Sequence, residues 1–471
     1  MVLYTAMPAG ARFQSRGGPL APAAALTAIL AAGAMFPVAP LRDAETGRAV
    51  LDATLRTPPA FLALAPVNNT LDALSLLSVR EHVAVLALLA LAYAAWRVQR
   101  ARRGRLRRDD IVTVATRMHR LRRELAAAGT ALALVVAVYA VMVLVPRPMA
   151  ALELAPGDST RLAIDFHSHT SASHDGRPGF SAERNRSWHR AAGFDVAYVT
   201  DHDTFAGAES AASRNPRRAG DGTSLLSGIE VLEGGEHVNV LGVTARDNAL
   251  FDGRHLVAAA LESAERGGRA PPIVLQTIPG PLDRVPRPGM TGVVPVDAIE
   301  IADAAPRGFS AEDDERDRIL RIADSLGAAA VSGSDLHGWG RTAAAWTIMR
   351  IPGWRDLSPT ELEVRIETAI RAGGRHATRV IERTRPVWAR GADQHGAAAW
   401  ASAGGQALAF GGHFAWQLTA TRSMPERLAW LVWIWVVAGA VAVYRERRGG
   451  PPPFPGRRSV RRGGARLPAQ V

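Results

Sequence analysis

His167 and His169 stand two residues apart at the end of a short apolar run, Leu162 to Phe166. If that run is a strand, both imidazoles leave the same face, the arrangement by which a strand hands two nitrogen ligands to one metal ion. Asp335 and His337, in Ser332-Gly333-Ser334-Asp335-Leu336-His337-Gly338, repeat the spacing. Between the two pairs lie further potential ligands: Asp201-His202-Asp203 after one apolar run, Glu230 closing another, His237 opening a third, and Asp175 in a glycine-rich turn. Taken singly, a His pair is usually without a metal and a carboxylate at a strand end is usually a helix cap or a surface charge. Together these residue types suit hard or borderline divalent ions. No cysteine occurs, which excludes disulfides, thiolate zinc sites and a cysteine nucleophile.

The elements that must position these residues read as alternating strands and helices. Leu162 to Phe166, Asp195 to Thr200, Ser224 to Ile229, His237 to Val243, Pro272 to Thr277, Ala298 to Ile301 and Ala328 to Ser332 are predicted strands. Ala311 to Leu326 is predicted as a helix with an acidic first turn and an apolar face of Ile319, Ile322, Ala323 and Leu326. Thr360 to Ala372 is a second, capped by Ser358. Repeated strand-helix units predict an α/β barrel or a close relative, in which chemistry collects at the carboxyl ends of the strands. His174 reads as a turn residue, and His189, His255, His376, His395 and His413 as structural.

From Arg161 to Arg379 the sequence resembles the polymerase and histidinol phosphatase (PHP) family of metal-dependent phosphoesterases. His167-Ser168-His169 with Asp175-Gly176 is similar to its first motif, Thr200-Asp201-His202-Asp203 to its second, Gly228-Ile229-Glu230 and His237 to its third, and Ser334-Asp335-Leu336-His337 to its last. The resemblance implies a distorted seven-stranded, TIM-like α/β barrel with two or three divalent ions (Zn, Mn or Fe). Carried over position by position, His167, His169, Glu230 and Asp335 hold one ion, Glu230 bridges to a second that also takes His237, and Asp175, His202 and His337 hold a third. Where the family has His-Pro after a strand, this chain has Thr277-Ile278-Pro279. Ile278 cannot coordinate, so the second ion takes water or Gln276 instead, or the site works with fewer ions.

The chemistry implied is hydrolysis of a small phosphorylated substrate by metal-activated water, with Asp201, Asp203 or Arg341 orienting substrate or moving a proton. Carbamate or amide hydrolysis on the same fold is the first alternative, and a receptor that binds metal or ligand without turnover is the second. Nucleic acid is not an expected partner. The chain carries a formal net charge of +12, but Ala151 to Trp400 holds 28 Arg against 34 Asp and Glu, so the basic excess lies in the flanks. All 56 basic residues are Arg, which reflects compositional bias.

The flanks read as membrane anchors. Residues 1–148 hold about three apolar spans: Gly17 to Leu41, read ahead of a cleaved signal peptide; His82 to Trp96; and Leu125 to Pro146. The 11 Arg between 97 and 123 form the basic cytoplasmic loop expected between two membrane helices. Ala44 to Asn69 reads as a loop. Residues 149–390 are the catalytic domain, 391–426 a linker or interfacial segment, 427–445 a further transmembrane helix, and 446–471 a basic cytoplasmic tail. With both basic segments inside, the multi-pass protein carries its catalytic domain outside the cytoplasm.

Overall fold

A computed structural model describes residues 20–36, 38–75, 79–105, 114–233, 235–244, 256–267, 270–277, 296–303, 313–340, 342–384 and 423–448, with positions 397, 400, 401 and 405 besides. Ile278, Arg341, most of 391–426 and the tail from 449 lie outside them. In chain order the helices are α1 (Leu20–Ala34), α2 (Pro59–Ala63), α3 (Ala65–Ser75), α4 (Val79–Arg105), α5 (Val114–Leu144), α6 (Ala182–Ala192), α7 (Ala206–Ala212), α8 (Leu256–Arg266), α9 (Asp313–Leu326), α10 (Pro359–Gly373) and α11 (Met424–Arg448). The strands are β1 (Leu41–Asp43), β2 (Ala53–Arg56), β3 (Ala151–Leu154), β4 (Arg161–Asp165), β5 (Val196–Val199), β6 (Ser224–Glu233), β7 (Glu236–Leu241), β8 (Ile273–Gln276), β9 (Ala298–Asp303), β10 (Ala329–Gly333), β11 (Ala345–Arg350) and β12 (Thr378–Arg383).

Each of the seven predicted strands is present, as β4 to β10. They are near-continuous apolar runs because helices cover one side and the barrel interior the other, so β4, β5, β8 and β10 are buried at every position. They lie side by side in chain order. The β4, β5 and β6 neighbours are parallel, β6 and β7 form an antiparallel hairpin, and β8 to β10 are parallel again. The sheet curls until the end of β10 meets the end of β4: Phe166 N–H donates to Ser332 O at 3.3 Å, Ser334 N–H to His167 O at 3.1 Å, and His169 N–H to Leu336 O at 2.9 Å.

The sheet is ten-stranded, which corrects the expected seven. β11 and β12 add antiparallel beyond β4, and β1 pairs with β12. β2 pairs with β3 in a separate ribbon. Residues 41–56, read from sequence as the end of an apolar span and part of a loop, therefore belong with the large sheet and its helices. Polar contacts join them to it: Arg42 to Glu382 at 2.6 Å, Arg379 to Asp43 at 2.8 Å, Arg161 to Asp52 at 2.8 Å, and Arg316, itself paired with Glu382, donating to Ala44 O at 3.3 Å. A three-residue strand leaves too short a pattern to read, because its partner is more than 300 residues away.

The predicted helices have the expected causes. Ser358 accepts from Glu361 N–H while the Glu361 carboxylate accepts from Ser358 N–H, a reciprocal cap with Pro359 at the first helical position. Leu362, Ile366 and Ile370 of α10, four residues apart, then pack on the barrel core with Tyr198, Leu241 and Leu275. Ile319 and Ala323 of α9 pack against Ile299, Ile301 and Ala330.

Among the described residues, three helices are long and apolar enough to cross a membrane, over His82–Gln99, Leu121–Met142 and Met424–Tyr444. α1 has only 15 residues, about 22 Å at 1.5 Å per residue against a hydrocarbon core of about 30 Å. The stretch 97–123, expected as a loop, is helical up to Arg105 and from Val114 onward, in keeping with the good helix propensity of Arg.

Candidate metal centre

The closing seam between β4 and β10 builds the site. His167 lies just beyond β4, and its carbonyl accepts from the N–H groups of both Ser334 and Asp335, so the first and last ligand pairs are held by one backbone junction. Asp335 adopts φ 45°, a left-handed conformation that turns its carboxylate back toward the histidines. A Cβ at Gly333 would meet the Glu300 carboxylate and the His167 side chain, so the chain passes closely there only as glycine. Glu230 pairs in register with Asn239, which makes His237 its diagonal neighbour across the β6–β7 hairpin. An isolated bridge sets His202 beside Glu230.

All eight predicted ligands converge. His167 Nε2 lies 3.0 Å from His169 Nε2 and 2.9 Å from Glu230 Oε2. His169 Nε2 lies 3.2 Å from the same Glu230 oxygen and 3.3 Å from Asp335 Oδ1. The other Glu230 oxygen is 2.7 Å from His237 Nδ1. Asp175 Oδ2 lies 2.9 Å from His337 Nε2 and 3.6 Å from His202 Nε2. The rings of His169 and His337 are stacked with centroids 4.0 Å apart. Among the described residues, three groups have ligand atoms close enough to share an ion: His167, His169 and Glu230; His202, Glu230 and His237; and His169, His202 and His337.

These separations fit divalent cations. An ion about 2.1 Å from each ligand spaces ligand atoms about 3.0 Å apart at a right angle and about 3.4 Å apart at the tetrahedral angle. His167 Nδ1 faces the Glu300 carboxylate at 2.9 Å, where its hydrogen is the natural donor. That leaves Nε2 as a bare lone pair facing another imidazole nitrogen and two carboxylates. So many lone pairs directed at one point require protons or a cation between them.

The electrostatics record the same demand. Burial alone would raise the Glu230 carboxyl, but the imidazoles of His167, His169 and His237 hold it far below the usual carboxylate range. Burial works against protonated His167, yet Glu230 and Glu300 raise it well above its ordinary value, and Asp335 with Glu230 pushes His169 up to about 9. Burial, with His169 beside it, pushes His337 down to about 4. Protons here do the work that ions would do, and ion binding would release them.

The remaining candidates are placed differently. Asp201 is buried, and both its oxygens are taken by Thr170, one by the backbone N–H at 2.6 Å and the other by the hydroxyl at 2.7 Å. It shapes the turn between His169 and Asp175. Asp203 is exposed at φ 54°, its N–H bonded to Glu230 O. Arg341 and Ile278 fall outside the described residues. Gln276 donates from its side chain to His237 O at 3.1 Å. His174 lies in a turn as expected, but its ring is 4.9 Å from that of His202. His189 is a buried core histidine, 2.6 Å from Asp165, whose other oxygen accepts from the N–H groups of His167 and Ser334.

Glu300 is the functional residue that sequence reasoning missed. It is fully buried at the centre of β9, and the signal was a lone carboxylate inside the otherwise apolar Ala298-Ile299-Glu300-Ile301. A separate cavity of ≈ 620 Å³, lined by Arg161, Arg190, Asp195 and Trp354 among others, lies at the opposite end of the barrel and touches none of the ligands.

No protein-family profile matches the chain, and no curated protein matches it. Among solved structures, it is similar to PsfC from Pseudomonas syringae at 15% identity and a TM-score of 0.33, over 55% of this chain and 99% of that one. A two-domain protein from Bacteroides vulgatus, described as containing a predicted PHP-like metal-dependent phosphoesterase, is similar at 18% identity and a TM-score of 0.32, over 48% of this chain and 65% of that one. An amidohydrolase from Chromobacterium violaceum is similar at 19% identity and a TM-score of 0.25, over 43% of this chain and 96% of that one. Likenesses this distant leave the geometry of the cluster as the ground for function.

Proposed function

We propose that this chain is a membrane-anchored, metal-dependent hydrolase of the PHP type acting on phosphate esters. The observation that carries the reading is the Glu230 carboxylate, with one oxygen against His167 and His169 and the other against His237, the disposition of a carboxylate shared by two ions. Divalent ions bound there supply Lewis acidity, acidifying water and neutralising charge on phosphoryl oxygens. The chain's own part is to hold that set. His167, His169, Glu230 and Asp335 form one pocket, Glu230, His202 and His237 a second, and Asp175, His202 and His337 a third. Glu300 orients His167, Asp201 fixes the turn through Thr170, and Asp165 holds the His167 and Ser334 backbones.

The membrane reading rests on the three long apolar helices and on connectivity. Residues 41–43 and 378–383 share one sheet, and residues 53–56 and 151–154 another. Both members of each pair therefore lie on one side of any bilayer, which requires an even number of crossings between 56 and 151. α4 and α5 supply two, and α11 returns the chain to the basic side, leaving the barrel outside the cytoplasm.

The test is the full chain, purified in detergent and supplied with manganese, zinc or iron, assayed against phosphomonoesters, phosphodiesters and carbamates. Phosphate-ester hydrolysis that His167→Ala abolishes is the expected result. Metal binding with no hydrolysis of any ester would overturn the enzyme reading in favour of a receptor. A phosphatase reporter joined after Tyr444 should be silent and one joined near Arg390 active; the reverse would move the barrel to the cytoplasm.

A further inference from the structure

The loops that carry Asp175 and His337 are bonded directly to the end of α5. Its apolar stretch closes at Met142, two residues before Leu144. The Leu144 carbonyl accepts from the Arg177 guanidinium at 3.1 Å, the favourable placing of a cation at a helix C-terminus. The same guanidinium reaches Gly338 O at 3.4 Å, and Arg177 N–H donates to His337 O at 2.9 Å. Arg147, just past the helix, donates to Gly340 O at 3.0 Å and pairs with Asp72 of α3 at 3.0 Å. Leu71 and Leu74 of α3 pack in turn on Met142 and Tyr139 of α5. Trp339, between the two glycines, is 41% exposed and donates its indole N–H to Asp175 O at 3.0 Å.

We infer that the metal centre opens onto the lipid headgroup layer and that its substrate is an amphiphile whose phosphoester lies in the bilayer surface; this rests on the hydrolase and membrane reading above. The dimensions favour it. The polar layer on each side of the hydrocarbon is about 5–8 Å thick, and two extended residues, the separation of Arg177 from Asp175, span about 7 Å. With the helix end at the hydrocarbon boundary, the third ligand group lies at the depth where lipid phosphates lie. The rim has the matching composition: an exposed Trp, which favours the interface, beside Arg177, whose cation favours anionic headgroups. Leu144 and Val145, about half exposed beneath the rim, are suited to lipid contact.

The chain has no cysteine, so one introduced thiol is a unique label site in the full-length protein. A nitroxide at Trp339→Cys in lipid nanodiscs is compared with one at Ser159→Cys, beside the first residues of β4 at the far end of the barrel. The expected result is that the rim label is relaxed by oxygen and shielded from a water-soluble nickel chelate, while the distal label shows the opposite. Equal access of the chelate to both would overturn the inference; Pro178→Cys, on the same rim, serves if Trp339→Cys does not fold. In the same preparation with manganese, a phospholipid in the disc should be hydrolysed at least about tenfold faster than its water-soluble glycerophosphodiester at equal total concentration, because enzyme and lipid share one surface. Hydrolysis of the soluble ester at an equal or greater rate would overturn the substrate class and leave the hydrolase standing. Hydrolysis of neither, with no metal detected by mass spectrometry, would overturn the hydrolase reading and this inference with it.

Discussion

Glu230 and His167 meet at 2.9 Å, Oε2 to Nε2, in the buried centre of a site where the sheet curls to bring β10 against β4. Glu230 comes from β6 and His167 from the end of β4, and among the described residues Glu230 is the carboxylate that belongs to two of the three candidate ion groups, as His169 and His202 do among the imidazoles. Glu230→Gln should therefore lower the metal content of the purified full chain more than His237→Ala, because His237 is half exposed and touches a single Glu230 oxygen. Elemental mass spectrometry decides the order. Wild-type metal content in Glu230→Gln would remove it from the ligand set.

Glu300 acts through His167. Glu300→Gln keeps a hydrogen-bond acceptor for His167 Nδ1 but removes the charge that makes the imidazole a strong donor, so metal affinity should fall about tenfold with the fold intact. Competition with a graded series of chelators measures this. An unchanged affinity would reduce Glu300 to a packing residue.

The pair of Arg42 with Glu382 tests whether the N-terminal strand belongs to the barrel, and the pair of Arg316 with the same Glu382 is its internal reference. The Arg316 and Glu382 side chains are buried, and Arg42 of β1 shares the same carboxylate. Arg316→Met leaves a buried charge short of a partner and should cost on the order of 3 kcal/mol, and Arg42→Met less because its side chain is more exposed. Urea unfolding of the full chain in detergent reads both. No loss for Arg42→Met would contradict this placement of β1, and a loss under about 1 kcal/mol for Arg316→Met, typical of an exposed pair, would contradict the burial of the Glu382 cluster.

Stability should fall as pH rises through neutrality. Burial raises Glu363 of α10 to about 7, and burial with the neighbouring Glu363 charge raises Glu367 to about 8, against 4.5 ordinarily. Below the ordinary value both groups are protonated in the folded and unfolded chain alike, and the fold keeps its full stability. Above it the unfolded chain ionises first, so stability is lost until the folded groups ionise near 7 and 8. Melting temperature against pH should drop across that window, and Glu367→Gln should flatten the drop. A profile that Glu367→Gln leaves unchanged would assign the slope elsewhere.

Adding manganese or zinc to protein stripped with a chelator should raise the melting temperature, and His167→Ala with His169→Ala should remove most of the gain. A gain that survives in the double variant would place the binding elsewhere in the chain.

The amino-acid sequence by itself determined the seven strands from β4 to β10, the helices α9 and α10, and which eight side chains could gather at one site, because apolar runs, capping residues and same-face spacing are local signals. Tertiary structure decided what those signals could not carry. β1 joins the sheet through Leu41 and Arg383, and its three residues have no periodicity to read. Glu300 is set against His167 only because the sheet curls until β10 meets β4. Asp201 sits in a motif of ligands yet spends both oxygens on Thr170, a choice made by the turn that folds over it. The nearness of His337 to the end of α5 depends on Arg177 and Arg147 bridging segments well apart in the chain. Residue type and spacing name the possible chemistry; which oxygen faces which nitrogen depends on strand pairings and loop contacts between residues far apart in sequence.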